Sequence, residues 1–215
     1  MKQDAWEYWY PRKEGTVEPE IPKLAELLTH NYYSKLLDFG CGAGRHVIYF
    51  ARKGFQVYGF DKSAAAIERA MEALERENLH ANLKVWDMTQ PLPYEDSFFD
   101  VVIATRVMHH TYFESVRRIA QEISRMLQKG GYLFLQVPSY TRTDTRDKKG
   151  RWKLKKLEPR TYAHTEGEEK DVPHHHFTKQ ELLRLFPSFT TLELHRETEH
   201  YHGWCWLARK QQQRT

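Results

Sequence analysis

Residues 36–44 read LLDFGCGAG, and no other segment narrows the fold as far. An apolar run of strand character passes through Asp38 into Gly40, Cys41, Gly42 and Gly44, then into a helical pattern that opens with Arg45. Glycines at that spacing allow a tight turn against which a ligand can lie on bare backbone. The following helix N-terminus presents unsatisfied N–H groups suited to a carboxylate. The segment therefore points to a strand, a turn and a helix around an anionic, extended ligand. A glycine-rich turn without a ligand has the same local pattern, so the surrounding sequence decides.

That surrounding sequence alternates short β-rich apolar runs with helical stripes, the pattern of parallel strands joined by crossover helices. Strands are expected at Lys35–Phe39, Gln56–Phe60, Leu83–Trp86, Asp100–Ala104 and Tyr132–Val137. The unbroken apolar DVVIA run should be a central strand covered on both faces. A helix is expected from Arg45 to Lys53, with Gly54 at its left-handed C-terminal cap. Another should start at Ser63 and bury Ile67, Ala70, Met71 and Leu74. A third carries Val116, Ile119, Ala120, Ile123, Met126 and Leu127 inward and ends at Gly130 and Gly131. Beyond Pro138, residues 139–176 are polar and aperiodic, which predicts a functional insertion or flap with little regular structure. Order returns at Phe177: Thr178 and Glu181 form a capping box, Phe177 and Leu182 a hydrophobic staple, and Pro187 a stop. Two last strands are expected near 190–198 and 203–209.

The organisation expected is a single unit over 1–215: an N-terminal lid and helix (1–34), a ligand-binding core (35–137), the insertion (139–176) and a C-terminal helix with strands (177–210). Its 40% hydrophobic and 29% charged residues suit a globular core. Cys41 and Cys205 stand far apart and in no C-x-x-C pair, arguing against a disulfide framework or a thiolate zinc site. No apolar run approaches the roughly 18 residues of a membrane span, and the first residues lack a signal-peptide core. A soluble cytoplasmic protein with no membrane partner, monomeric or homodimeric, is expected. The net charge is only +4, but residues 141–160 hold nine Lys or Arg against three Asp or Glu. Such a local excess can meet an anion.

Asp61 closes the second strand in GFD, where doubly wound folds set an acid against ribose hydroxyls. A nicotinamide dinucleotide site competes for the same corner, but its G-x-G-x-x-G fingerprint does not fit Gly40, Gly42 and Gly44 followed by Arg45 and His46. The D-x-G-x-G-x-G loop, Asp61 with its neighbour Lys62, and WDMTQPLPYEDSFFDVVIA at 86–104 are similar to class I S-adenosylmethionine-dependent methyltransferases, over about residues 35–137. The resemblance implies a Rossmann-like doubly wound α/β sheet of about seven strands, mostly parallel with an antiparallel last strand, with helices on both faces. It also implies S-adenosylmethionine as cofactor and S-adenosylhomocysteine as product. Carried over, Asp87 would accept from the adenine amine and the Met88 backbone would meet a ring nitrogen. Asp38 and the backbone of Gly40, Cys41, Gly42 and Gly44 would face the methionine moiety. Thr105 would lie near the sulfonium, and Arg45 would attract the carboxylate or simply be a solvated helix residue.

His109 and His110 follow the fourth strand and are the general-base candidates, should the acceptor have to lose a proton. His175, in PHHHFTKQEL at 173–182, is a third, because that segment resembles the acceptor side of small-molecule methyltransferases. Packing roles compete in each case. As metal ligands His174, His175 and His176 are disfavoured, since consecutive residues rarely converge on one ion, and no metal is expected. Trp6, Tyr8, Trp9 and Tyr10 form either a lid or an edge packing. The acceptor expected is a small molecule. RNA, such as tRNA, is the alternative, through Arg142, Arg146, Lys148, Lys149, Arg151, Lys153, Lys155, Lys156 and Arg160 with Trp152 interleaved. A non-catalytic cofactor-binding scaffold is the third reading.

Overall fold

The computed structural model describes residues 17–30, 33–140, 154–167, 169–198 and 202–212. The proposed aromatic lid at Trp6–Tyr10 and the basic residues 142–153 lie outside them. In chain order the elements are α1 (Glu20–His30), β1 (Lys35–Phe39), α2 (Arg45–Arg52), β2 (Gln56–Asp61), α3 (Ala64–Arg76), β3 (Asn82–Val85), β4 (Phe99–Thr105) and α4 (Phe113–Met126). There follow β5 (Leu127–Pro138), β6 (Leu154–Glu158), β7 (Thr161–His164), β8 (Pro173–His175), α5 (Lys179–Leu185), β9 (Phe189–Glu197) and β10 (Gly203–Lys210).

Seven strands form one sheet in the order β3-β2-β1-β4-β5-β10-β9. β1 pairs parallel with β2 and β4, β2 with β3, and β4 with β5, whereas β10 is antiparallel to both β5 and β9. Side chains alternate between the faces because successive Cβ atoms of a strand point oppositely. Leu36, Val101, Ile103, Tyr132 and Phe134 face one layer with Leu24 and Leu28 of α1, Val47 and Phe50 of α2, and Ile67 and Leu74 of α3. Leu37, Val102, Ala104, Leu133 and Leu135 face the other, against Val116, Ile119 and Ile123 of α4 and Leu182 of α5. Both faces of β4 are thus dry, which is why its sequence shows no polar alternation.

Three expectations change. Met71 is 57% exposed, and Ala66 takes the buried place on α3. Ser63 caps this helix as expected, its Oγ accepting from Ala66 N at 3.1 Å, and Ile67, Ala70 and Leu74 of the expected stripe are buried. Helix α4 stops at Met126 rather than at the glycine pair, and Leu127 already belongs to β5, paired with Phe99. Gly131 lies within that strand, where a Cβ would come 2.7 Å from the carbonyl of Asp100. The insertion is ordered where it is described: β6, β7 and β8 make a three-stranded antiparallel sheet. Its short strands, LKKLE, TYAH and PHH, bear charges and histidines, so no period-two apolar pattern marks them.

Candidate functional site

Parallel strands place their C-terminal ends on one edge of the sheet, and the loops that leave them line a crevice there. Gly40 after β1, Asp61 and Lys62 at the end of β2, Trp86 to Thr89 after β3, and Thr105 to Val107 with His110 after β4 surround one cavity of about 210 Å3. Four segments separated in sequence by 15 to 25 residues are thereby brought to a single corner.

Within that corner Asp61 is the hinge of the glycine loop. Its Oδ2 accepts from Gly42 N at 2.9 Å and its Oδ1 from Ser63 N at 3.0 Å. Burial raises its pKa above the ordinary carboxylate value, against the two N–H donors that favour the anion. The carboxylate so fixed retains lone pairs toward the cavity it lines. Asp87 folds locally, accepting from both the N–H and the hydroxyl of Thr89 at 2.8 Å through Oδ1, and with Met88 forms the opposite wall.

The glycines of the loop have different jobs. At Gly40, with φ of +71°, a Cβ would fall 2.2 Å from a Val107 methyl, so the cradle between β1 and β4 exists only without a side chain. Gly44, with φ of +84°, instead lets α2 approach α3, since its Cβ would meet that of Ala70 at 2.8 Å. Cys41 is buried beneath the loop, where burial and the nearby Asp38 and Asp61 push its thiol pKa far up, so it packs rather than reacts.

Asp38 is 1% exposed, and neither carboxylate oxygen has a hydrogen-bond partner among the described residues. His46 approaches it, with Nδ1 3.7 Å from Oδ2, a charge contact rather than a hydrogen bond. His46 Nε2 in turn meets Glu18 at 2.5 Å, and Glu18 also binds Arg45 at 2.5 Å. Burial opposes the charge on His46, yet Asp38 and Glu18 together raise its pKa. Burial likewise opposes the Glu18 anion, but His46 and Arg45 pull its pKa down to about 2. Arg45 is therefore engaged by Glu18 at the start of α2. An orphaned buried carboxylate beside a glycine cradle fits a ligand that carries an ammonium group and an elongated adenosyl body. The residues present thus suit S-adenosylmethionine.

His109 and His110 sit on the turn after β4. His110 lines the cavity, while His109 is buried beside it with Nδ1 lacking a partner among the described residues. Burial, then the neighbouring histidines, hold both imidazoles neutral. Their rings lie 3.9 Å apart, and His174 from β8 approaches His110 at 4.8 Å. The three consecutive histidines diverge. His175 is fully buried away from the cavity lining, between Thr161 Oγ1 at 2.8 Å and Glu181 Oε2 at 3.2 Å, and stacks on Phe113. His176 packs edge-on to Tyr162.

Sequence reading missed Glu18, His46 and the turn residues Arg106 and Val107. Arg106 holds a left-handed φ of +57° and donates to Gln136 at 2.7 Å. The G-A-G-R-H run could have flagged His46, but nothing in the sequence links it to Glu18, 28 residues earlier.

Residues 37–135 match the family model described as a methyltransferase domain. The chain is 33% identical over 104 residues to ribosomal RNA small subunit methyltransferase C of Alcanivorax borkumensis, a match covering 47% of this chain and 31% of that protein. It spans only about a third of the length of the first curated relatives it matches. Among solved structures, a methyltransferase of Methanosarcina mazei described as S-adenosylmethionine-dependent superposes with a TM-score of 0.71 at 24% identity, covering 92% of this chain and 99% of that one. The 1,6-didemethyltoxoflavin N1-methyltransferase of Burkholderia thailandensis, solved with its substrate and S-adenosylhomocysteine, gives a TM-score of 0.67 at 18% identity, with 91% and 80% covered. The fold is thus the one expected from the glycine loop, with the antiparallel strand in place as β10.

Proposed function

We propose, from the match of residues 37–135 to the methyltransferase-domain family, that this chain is an enzyme transferring a methyl group from S-adenosylmethionine to a small-molecule acceptor. The observation that carries the reading is the convergence of Gly40, Asp61, Asp87 and Thr105 on one cavity. When bound, the cofactor supplies a sulfonium methyl group already activated for transfer. Asp61, oriented by two backbone N–H groups, accepts from ribose hydroxyls; Asp87 and the Met88 backbone receive the adenine edge. Asp38 and the loop from Gly40 to Gly44 hold the methionine end, and Thr105 lines the floor beside it. Lys62 flanks the ribose side. His110 lines the cavity on the side of the β4 turn and is placed to orient an acceptor there. Orientation of this kind is worth about 7–11 kcal/mol in favourable systems. His175 acts as a positioning residue that ties the insertion to α5.

A small acceptor is favoured by how the described end of the basic stretch is engaged. Arg160, the last cation of the basic stretch, is paired with Glu181 rather than turned to a polyanion. RNA is the second reading, supported by the name of the Alcanivorax relative and by the exposure of Lys155 and Lys156. Incubating the purified chain with methyl-labelled S-adenosylmethionine and cell extract separates them. Label in the small-molecule fraction is the expected outcome; label in RNA that vanishes after charge reversal across 146–156 overturns it. Cofactor binding without any transfer identifies a scaffold.

A further inference from the structure

We infer that His109, His110 and His174, with His164 and Glu169 at the outer side, form a binding site for a divalent transition-metal ion such as Zn2+. The donors come from two distant parts of the chain, the turn after β4 and the β7–β8 part of the insertion. The ligand nitrogens of His109, His110 and His174 all lie within 4.8 Å of one another. Those of His164 and His174 and a carboxylate oxygen of Glu169 satisfy the same limit, so His174 belongs to two overlapping triads. The backbone sets this proximity: His175 N donates to the carbonyl of His109 at 2.8 Å, which pins β8 against the β4 turn.

Two of these nitrogens are buried and idle. His109 Nδ1 and His174 Nε2 have no hydrogen-bond partner among the described residues, and the two side chains belong to residues 5% and 8% exposed. A buried polar atom left unpaired is unfavourable, and a cation held by these rings supplies the kind of partner that such nitrogens lack. Glu169 Oε2 stands 3.4 Å from His174 Nε2 and 3.9 Å from His164 Nε2, beyond good hydrogen bonds but near enough to contribute a carboxylate ligand. Tetrahedral zinc with nitrogens at about 2.0–2.1 Å requires ligand atoms about 3.3 Å apart. Small rotations of the imidazoles close that difference. Neutral imidazole is the ligating form. A set of nitrogens with one carboxylate suits zinc, cobalt or nickel rather than calcium or magnesium.

His110 also lines the adenosyl cavity, so an ion held here stands on its acceptor side. Resting on the methyl-transfer reading, an anionic oxygen or sulfur acceptor would displace the Glu169 carboxylate and present a lone pair toward the methyl group. The metal site itself does not depend on that reading.

The test uses the full chain, stripped with chelator and titrated with Co2+ without methyl donor. One equivalent per chain is expected, with visible d–d absorption of low coordination number that Zn2+ displaces. His109→Gln and His174→Asn should each weaken Co2+ binding at least about tenfold, since even outer-shell partners of metal ligands are worth 10–100-fold. Circular dichroism of the stripped variants checks that they fold. His195→Asn, which removes a member of the separate Glu20, His195 and Cys205 group, should leave binding unchanged. Absence of saturable uptake by the folded chain, uptake that survives both substitutions, or loss only with His195→Asn would each overturn the inference. Calorimetry with S-adenosylhomocysteine on the same samples reads the methyltransferase assignment separately.

Discussion

Asp61 shows how one side chain can serve both structure and ligand. Its carboxylate organises the loop through Gly42 N and Ser63 N while it faces the cavity. Asp61→Ala should therefore raise the dissociation constant for S-adenosylhomocysteine by about 10–100-fold, as expected for losing hydrogen bonds to a charged group worth about 1.5–3 kcal/mol. Calorimetry measures it, and unchanged affinity would detach Asp61 from the ligand. Glu18 invites a second measurement. Its folded pKa, about 2, lies below the ordinary 4.5, so it contributes stability above pH 4.5 that is lost progressively as pH falls toward 2. His46 has the opposite sign: its pKa is raised, so its contribution is full below the ordinary 6.5 and is lost as pH rises through the folded value. Denaturation across that range should show Glu18→Gln with a flatter acid limb than the parent, and an equal slope would mean that the pair does not form.

Among the elements, the insertion carries the largest departure from expectation and a specific way of being held. Glu158, at the end of β6, accepts from Phe113 N at 2.7 Å and so caps α4, whose own N-cap residue Tyr112 offers no side-chain acceptor. Glu181 does not turn back on its own helix as the other half of a capping box; its oxygens go to Arg160 and His175. The Thr178 half of the box forms, with Oγ1 accepting from Glu181 N at 3.2 Å. Glu181→Gln should thus loosen the insertion rather than unfold the core, at a cost of about 1–3 kcal/mol for the half-buried network. Hydrogen exchange should quicken in β6 to β8 while β4 and β5 stay protected; equal acceleration everywhere would place the effect in the helix instead.

For the whole molecule, the two apolar layers meet at β4, so a truncation there should be felt globally. Ile103 is fully buried between β4 and the α1–α3 layer, and Ile103→Ala should cost about 2–5 kcal/mol in denaturant unfolding. A loss under 1 kcal/mol would mean that this layer collapses to fill the space.

Sequence alone determined the order of the strands and helices from β1 to β5, the central place of DVVIA and the corner made by the glycine loop and Asp61, while Asp87 came from the family resemblance. The former follow from local rules: apolar period, capping chemistry and glycine backbone geometry act over a few residues and leave their mark in sequence. Only the tertiary structure decided that Glu18 meets His46, that Met71 faces water, that residues 154–175 form a small sheet, and that His174 leaves its two neighbours to join His109 and His110. Each of those depends on which distant segments share a corner, and polar pairing across such distances has no period for a sequence to display.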